Sequence, residues 1–155
     1  YQKDIATSDD VMNIWEVLKS QEGKKDKPKQ LMDVPRILPA LLRALKLQEK
    51  AARVGFDWPT IDGAWEKLAE EITEIQTAAG PDARKEEVGD AFFALVNVAR
   101  FLGVNPEEAL DAANEKFRRR FCHIDARRQE NQQQWQDLSL EEMDIWWEEA
   151  KKEGK

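Results

Sequence analysis

Apolar residues recur along the chain at helical spacing between short polar breaks, and nowhere do they alternate residue by residue as a half-buried strand would. Ser8 or Asp9 can cap a first helix reaching about Gln21, with Val11, Ile14, Trp15 and Leu18 on one stripe. EGKKDKPKQ, Glu22 to Gln30, is charged and lacks an apolar residue, which reads as a linker or loop. PRILPALLRALKLQEKAARVG then predicts a helix from about Pro35 or Pro39 to Arg53, stopped at Gly55. Trp58-Pro59 breaks the chain, and Thr60 can cap a helix reaching Ala79. Gly80-Pro81 is a tight break before a helix from about Asp82 to Leu102. Gly103 ends that helix, and Asn105-Pro106 opens another to about Gln129. Ser139, with Glu142 three residues on, is a capping box for a last helix, Leu140 to Lys151. The expectation is an all-α helical bundle: residues 1–30 form an N-terminal helix and charged linker, and residues 31–155 form the main domain.

Two of these helices carry acids in unusual places. In the one from Thr60, the stripe Ile61, Trp65, Leu68, Ile72, Ile75 and Ala79 is expected to face a core. At about 100° per residue, Glu71 lies about 60° off that stripe and Glu74 about 120° off, both on one flank, while Glu70 points nearly opposite. In the next helix the main stripe is Val88, Phe92, Leu95, Val96 and Ala99. The opposite line reads Glu87, Asp90, Ala94, Asn97 and Phe101. A solvated acidic face would continue with Lys, Glu or Gln; this one continues with Ala and Phe, and from Ala91 to Leu102 the helix is apolar nearly all round, as buried helices are. Enclosed carboxylates without a partner must find a cation or take up protons.

A short connection makes these two helices antiparallel neighbours, so Glu71, Glu74, Glu87 and Asp90 can meet in one patch. Their oxygens, with no Cys/His cluster nearby, suit Mg²⁺, with Mn²⁺ as a substitute, better than Zn²⁺. Four carboxylates exceed one divalent ion by two charges, and a polyphosphate ligand would add more. A working site therefore calls for more than one ion with substrate bound, for nearby Lys and Arg, or for both. The alternative for either cluster alone is a solvated acidic face with ordinary ion pairs one turn apart.

Composition narrows the field. At 155 residues the chain suits one domain, and a formal net charge of −7 argues against a nucleic-acid partner, which would want a basic face, though not against a single nucleotide. The lone Cys122 cannot form an internal disulfide, and no apolar run approaches the roughly 18 residues of a membrane span, so a cytoplasmic protein without a membrane partner is expected. The first residue is Tyr1 rather than Met, as in a trimmed chain or a piece of a longer one.

EEITE, then twelve residues, then EVGD running into AFFALVNVARFLGVNPEEALDAANEKFRRRF, resembles the MazG family of nucleoside triphosphate pyrophosphohydrolases. VPRILPALLRALKLQEKAARVGFDW upstream and SLEEMDIWW in the tail fit the same family, in particular the second domain of its tandem-domain members, and the likeness covers roughly Val34 to Lys151. The resemblance implies an all-α homodimer that uses Mg²⁺ to hydrolyse nucleoside triphosphates to the monophosphate and pyrophosphate. It implies Glu71, Glu74, Glu87 and Asp90 as metal ligands, the four that the helical wheels single out. It also places Lys116, Arg120 and Trp147 at nucleotide contacts; Lys116 and Arg120, four apart, share a helix face. Where family members often carry a lysine ahead of the second acidic motif this chain has Ala83, followed by Arg84 and Lys85, so Lys85 is the candidate for that contact, with Asn97 a further substrate candidate on the acidic line. Glu70 and Glu86, beside the ligands but off the cage, are the candidates for taking a proton from the attacking water. Cys122 and His123 are expected to pack or face solvent. The rival readings are an all-α dUTPase or dCTPase, a phosphoribosyl-ATP pyrophosphohydrolase, and a non-enzymatic helical dimerisation module.

Overall fold

Breaks in the chain fall at its prolines and glycines. A computed structural model describes residues 31–154. The expected first helix and the Glu22–Gln30 linker lie outside the described residues. Among the described residues every regular element is helical: α1 Ala40–Arg53, α2 Ile61–Thr77, α3 Pro81–Phe101, α4 Pro106–Glu130, a 3₁₀ turn Trp135–Asp137 and α5 Leu140–Lys152. The all-α expectation holds.

Local chemistry explains the ends. After α1 the chain turns left-handed at Gly55 (φ +87°), and Phe56 N–H reaches back to the carbonyl of Ala51 at 3.1 Å, closing the helix in a glycine-ended cap. Thr60 stands at the start of α2 in extended backbone, yet its hydroxyl donates to Asp62 at 3.0 Å rather than accepting from the helix. Helix α2 ends at Thr77, two residues short of Ala79, because Ala78 already leaves helical geometry and Gly80 follows at φ +90°. Pro81 then takes the first position of α3, where its missing N–H costs nothing. Asn105 caps α4 by accepting from Glu107 N–H at 3.1 Å. The Ser139–Glu142 capping box of α5 forms reciprocally, at 3.2 and 2.9 Å.

The chain divides into two compact units, one ending at Glu108 and the other running from Ala109. In the first, α3 packs against both α2 and α1. Its buried apolar residues include Val34, Leu38, Leu45, Ala64, Ala94, Val96 and Val98. In the second, Ile124 and Ala150 are buried, and an aromatic row runs Trp135, Phe121, Phe117, Trp147 with ring centres 5.3 to 6.0 Å apart. His123 there is half-buried with Glu149 at 3.5 Å, and Cys122 is exposed.

The expected core stripes need correcting. On α2, Trp65 and Ile72 are exposed, and the residues that bury are Ala64 and Glu71, one position earlier on the wheel. On α3, Val96 is buried as expected, but Val88, Phe92 and Leu95 are exposed, Phe92 by 57%. The reason is size as well as hydrophobicity. Ala64 and Ala94 are small enough to sit in the buried interior of the unit, whereas the bulkier line Val88–Phe92–Leu95 is left facing outward.

Candidate active site

The buried line of α2 carries a carboxylate. Glu71 is 3% exposed, and a ligand-capable oxygen from each of Glu71, Glu74 and Glu87 lies within 4.8 Å of the other two. The Gly80 turn makes this possible by returning the start of α3 beside the end of α2. One Glu71 oxygen meets the ammonium of Lys67, one helical turn earlier, at 2.5 Å, and Lys67 also meets Glu70 at 3.1 Å. The other, Oε2, is buried and has no hydrogen-bond partner. Burial, then the charges of Glu71 and Glu87, push Glu74 above the usual carboxylate range. Hydrogen bonds to Glu71 and Glu70 hold Lys67 firmly protonated. Three acceptor-only groups facing one another, with an orphaned buried oxygen among them, fit a hard divalent cation. Small side-chain adjustments would bring such oxygens to the roughly 2.0–2.6 Å at which Mg²⁺ or Ca²⁺ is held.

Glu71 also lines a cavity of about 660 Å³ in the first unit, together with Lys67 and Asp90. The cavity wall is mostly apolar, with Leu47, Ala51, Phe93 and Ala94 from the helices and Phe56 and Trp58 from the α1–α2 loop, and it also includes Asp57, Asn97 and Arg100. That loop is held down at two points. Arg100 on α3 pairs with Asp57 and donates to Asn97 at 2.9 Å. Trp58 lies flat on the first turn of α2, where a Cβ at Gly63 would stand 2.6 Å from the indole, so only glycine admits the ring at this distance.

The residues expected to carry chemistry are distributed as follows. Glu71, Glu74 and Glu87 come together; Asp90, one turn after Glu87, is exposed, stands outside that triad and joins Glu71 at the cavity wall. Glu70, Glu86 and Lys85 are exposed, and Glu70 is engaged with Lys67. Asn97 is half-buried and lines the cavity. Lys116, Arg120 and Trp147 belong to the second unit, where the Arg120 guanidinium sits 5.5 Å above the Trp147 ring and Lys116 is exposed. Reasoning from sequence passed over Gln48, Lys67, Trp58 and Arg100, all at the cavity. Gln48 was visible in principle as the amide on the line Leu41, Leu45, Gln48, and Lys67 as the cation one turn before Glu71.

No family model matches the chain. Among curated proteins, it is 39% identical over 137 residues to the nucleoside triphosphate pyrophosphohydrolase/pyrophosphatase MazG of Thermotoga maritima, covering 88% of this chain and 54% of that protein. It is 40% identical over 152 residues to the nucleoside triphosphate pyrophosphohydrolase of Escherichia coli K12, covering 94% of this chain and 58% of the other. It is 46% identical over 155 residues to the uncharacterized protein YabN of Bacillus subtilis, covering 96% of this chain and 32% of that protein. The chain thus spans little more than half the length of the first two relatives.

Proposed function

We propose that the chain belongs to the MazG family, to whose named members it is 39% and 40% identical over most of its own length, and that it is a nucleoside triphosphate pyrophosphohydrolase, cleaving NTPs or dNTPs to the monophosphate and pyrophosphate. The observation that carries the reading is Glu71, a buried carboxylate with an unpartnered oxygen, shared by an acidic triad and by a cavity of nucleotide size. Such a cavity, lined by apolar side chains and by several charged ones, suits a ligand with a flat ring and a polyphosphate tail.

In this reading Glu71, Glu74 and Glu87, with Asp90 turned in from the cavity wall, hold Mg²⁺ or Mn²⁺, more than one ion once substrate is present. When bound, such ions neutralise phosphate charge and lower the pKa of a coordinated water. The protein supplies the rest. The helical hairpin fixes the carboxylates before substrate arrives, so their mutual repulsion is paid on folding rather than in the reaction. Glu70 and Glu86, next to the ligands along α2 and α3, are the candidates for accepting a proton from the attacking water. Lys85 is the candidate cation for phosphate oxygens and Asn97 the candidate nucleoside contact; Lys116, Arg120 and Trp147, on the second unit, are candidate nucleotide contacts by the family resemblance alone. The exposed apolar line Val88–Phe92–Leu95 supports a homodimer, in which a second copy covers it. A role in cytoplasmic nucleotide house-cleaning follows from this activity, with no nucleic-acid or membrane partner; no described helix is long and apolar enough to cross a membrane.

Pyrophosphate release across canonical and modified NTPs and dNTPs, with and without Mg²⁺, tests the reading and separates it from the dUTPase, dCTPase and phosphoribosyl-ATP alternatives. Metal-dependent release that vanishes in Glu71→Gln and Asp90→Asn, with helical circular dichroism intact, is the expected result. Undiminished turnover in Glu71→Gln, or no release from any nucleotide, would overturn it. A non-enzymatic module would also give no metal-dependent heat with a non-hydrolysable dNTP in calorimetry.

A further inference from the structure

The cavity that Glu71 shares with the apolar wall contains one buried amide whose two ends are treated differently. Gln48, on α1, is 7% exposed. Its side-chain nitrogen donates to the Phe93 carbonyl oxygen at 2.8 Å, so the amide cannot turn over without losing that bond. Its Oε1 is buried and meets no donor. A buried carbonyl left in this state costs free energy that a leucine in its place would not, so its persistence in a cavity wall asks for a ligand. The surroundings say what kind. Leu47, Phe93 and Ala94 give the same cavity apolar wall, and Glu71, which also lines it, belongs to the acidic triad assigned above to metal. Phe56 and Met32 line it too and are 83% and 49% exposed, so this part of the wall is not locked by packing.

We propose that Gln48 Oε1 is the hydrogen-bond acceptor that reads the nucleobase, taking an N–H from the edge of a ring laid against the Phe93 side of the cavity. The proposal rests on the pyrophosphohydrolase reading above and adds to it a specificity residue. Because the Phe93 carbonyl fixes the amide, the end left without a partner is Oε1, which can only accept. A base edge with an N–H is welcome, and the same base with that nitrogen methylated leaves the oxygen unpaired and is rejected.

The test compares pyrophosphate release by the wild type and by Gln48→Leu on two matched pairs, dUTP with N3-methyl-dUTP and dATP with N6,N6-dimethyl-dATP. Deoxyribose 5-triphosphate, which has no base, is the control. The wild type should favour the unmethylated member of at least one pair by about tenfold or more in kcat/KM. Gln48→Leu should lower the favoured nucleotide to the level of its methylated partner and leave the base-free triphosphate unchanged. Equal wild-type rates within both pairs would overturn the proposal while leaving the parent reading standing. So would a variant that keeps the wild-type preference, or one that loses the base-free substrate equally, since steric exclusion or a bond that only ties α1 to α3 would give those results. Should Gln48→Leu fail to fold, Gln48→Met, unbranched and of similar length but without the carbonyl, is read on the same pairs with the same expected loss of preference. No pyrophosphate from any nucleotide in the wild type would remove the parent reading and this proposal with it.

Discussion

Replacing Glu71 with glutamine should raise the stability of the metal-free protein while abolishing its response to metal. As an anion Glu71 sits within 4.8 Å of oxygens on Glu74 and Glu87. Two like charges at that distance repel by about 3.5 kcal/mol at an effective dielectric of about 20. Glu74 and Glu87 are half-buried, so water trims each repulsion towards about 1–2 kcal/mol. Opposing them is the Lys67 pair, whose lysine side chain is 41% exposed, so solvent screening keeps it weaker than the repulsions. Burial of Glu71 adds a desolvation penalty in the same direction as the repulsion. The balance makes ionised Glu71 destabilising by about 1–3 kcal/mol, which glutamine removes at nearly constant shape. For a chain of this size each kcal/mol moves Tm by about 2–4 °C, so Glu71→Gln should melt roughly 2–12 °C above the wild type without added metal. With millimolar Mg²⁺ or Mn²⁺ the wild type should gain stability by mass action and the variant should not. Differential scanning fluorimetry with and without metal reads both effects. A variant that melts lower than the wild type in EDTA, yet keeps the full metal-induced shift, would refute the reasoning.

Gly63→Ala sets two effects against each other: a helix gain of about 1 kcal/mol against displacement of the Trp58 ring, since the new Cβ would stand 2.6 Å from it. Trp58 lines the cavity, so Tm should change little while KM rises several-fold; an unchanged KM would mean the ring does not shape the site. Ser139→Ala removes the cap of α5 and should cost about 1 kcal/mol by chemical denaturation, against no loss if the end frays anyway. Hydrogen bonds from Ser139 lower the pKa of Glu142, so this carboxylate contributes stability above the ordinary glutamate pKa and loses it as pH falls through the lowered folded value. The wild type's advantage over Ser139→Ala should therefore shrink in acid melts, and an advantage that grew would contradict the assignment. Phe92→Glu places a charge on the exposed line of α3 and should turn a dimer into a monomer in analytical ultracentrifugation, whereas identical sedimentation would move the contact elsewhere.

Helix existence was legible because its signals are local. Gly55, Gly80 and Gly103 all adopt positive φ at helix ends, and the Ser139–Glu142 box needs only four consecutive residues. Which face turns inward is not local. The wheels put Trp65 and Ile72 in the core because they are the largest apolar groups on α2, but the interior of the unit took Ala64 and Glu71 instead. Hydrophobic pattern alone does not weigh how small a residue must be to fit a crowded interior. A stripe that serves a second surface looks the same on a wheel as one that serves the core.

The same distinction explains the site. Glu71, Glu74 and Glu87 could be read from sequence because a short turn between two helices fixes which acids can meet. The cavity could not, because it is walled from α1, α2, α3 and the α1–α2 loop together, and its polar members look ordinary in isolation. Gln48 is one more polar residue on a Lys- and Arg-bearing helix until its nitrogen is seen tied to Phe93 and its oxygen left unpaired. Lys67 is a routine partner for Glu71 one turn away until Glu71 proves to be 3% exposed. Burial is what converts these common side chains into constraints. A surface carboxylate or amide can satisfy itself with water, whereas a buried one must be answered by the protein, by a proton or by a ligand. In the first unit Glu71 Oε2 and Gln48 Oε1 are two such unanswered oxygens at one cavity, one beside the acidic triad and one beside the apolar wall. A ligand that answers both has to carry a cationic or metal-bound end and a hydrogen-bond donor, and the metal-complexed nucleotide proposed above supplies both.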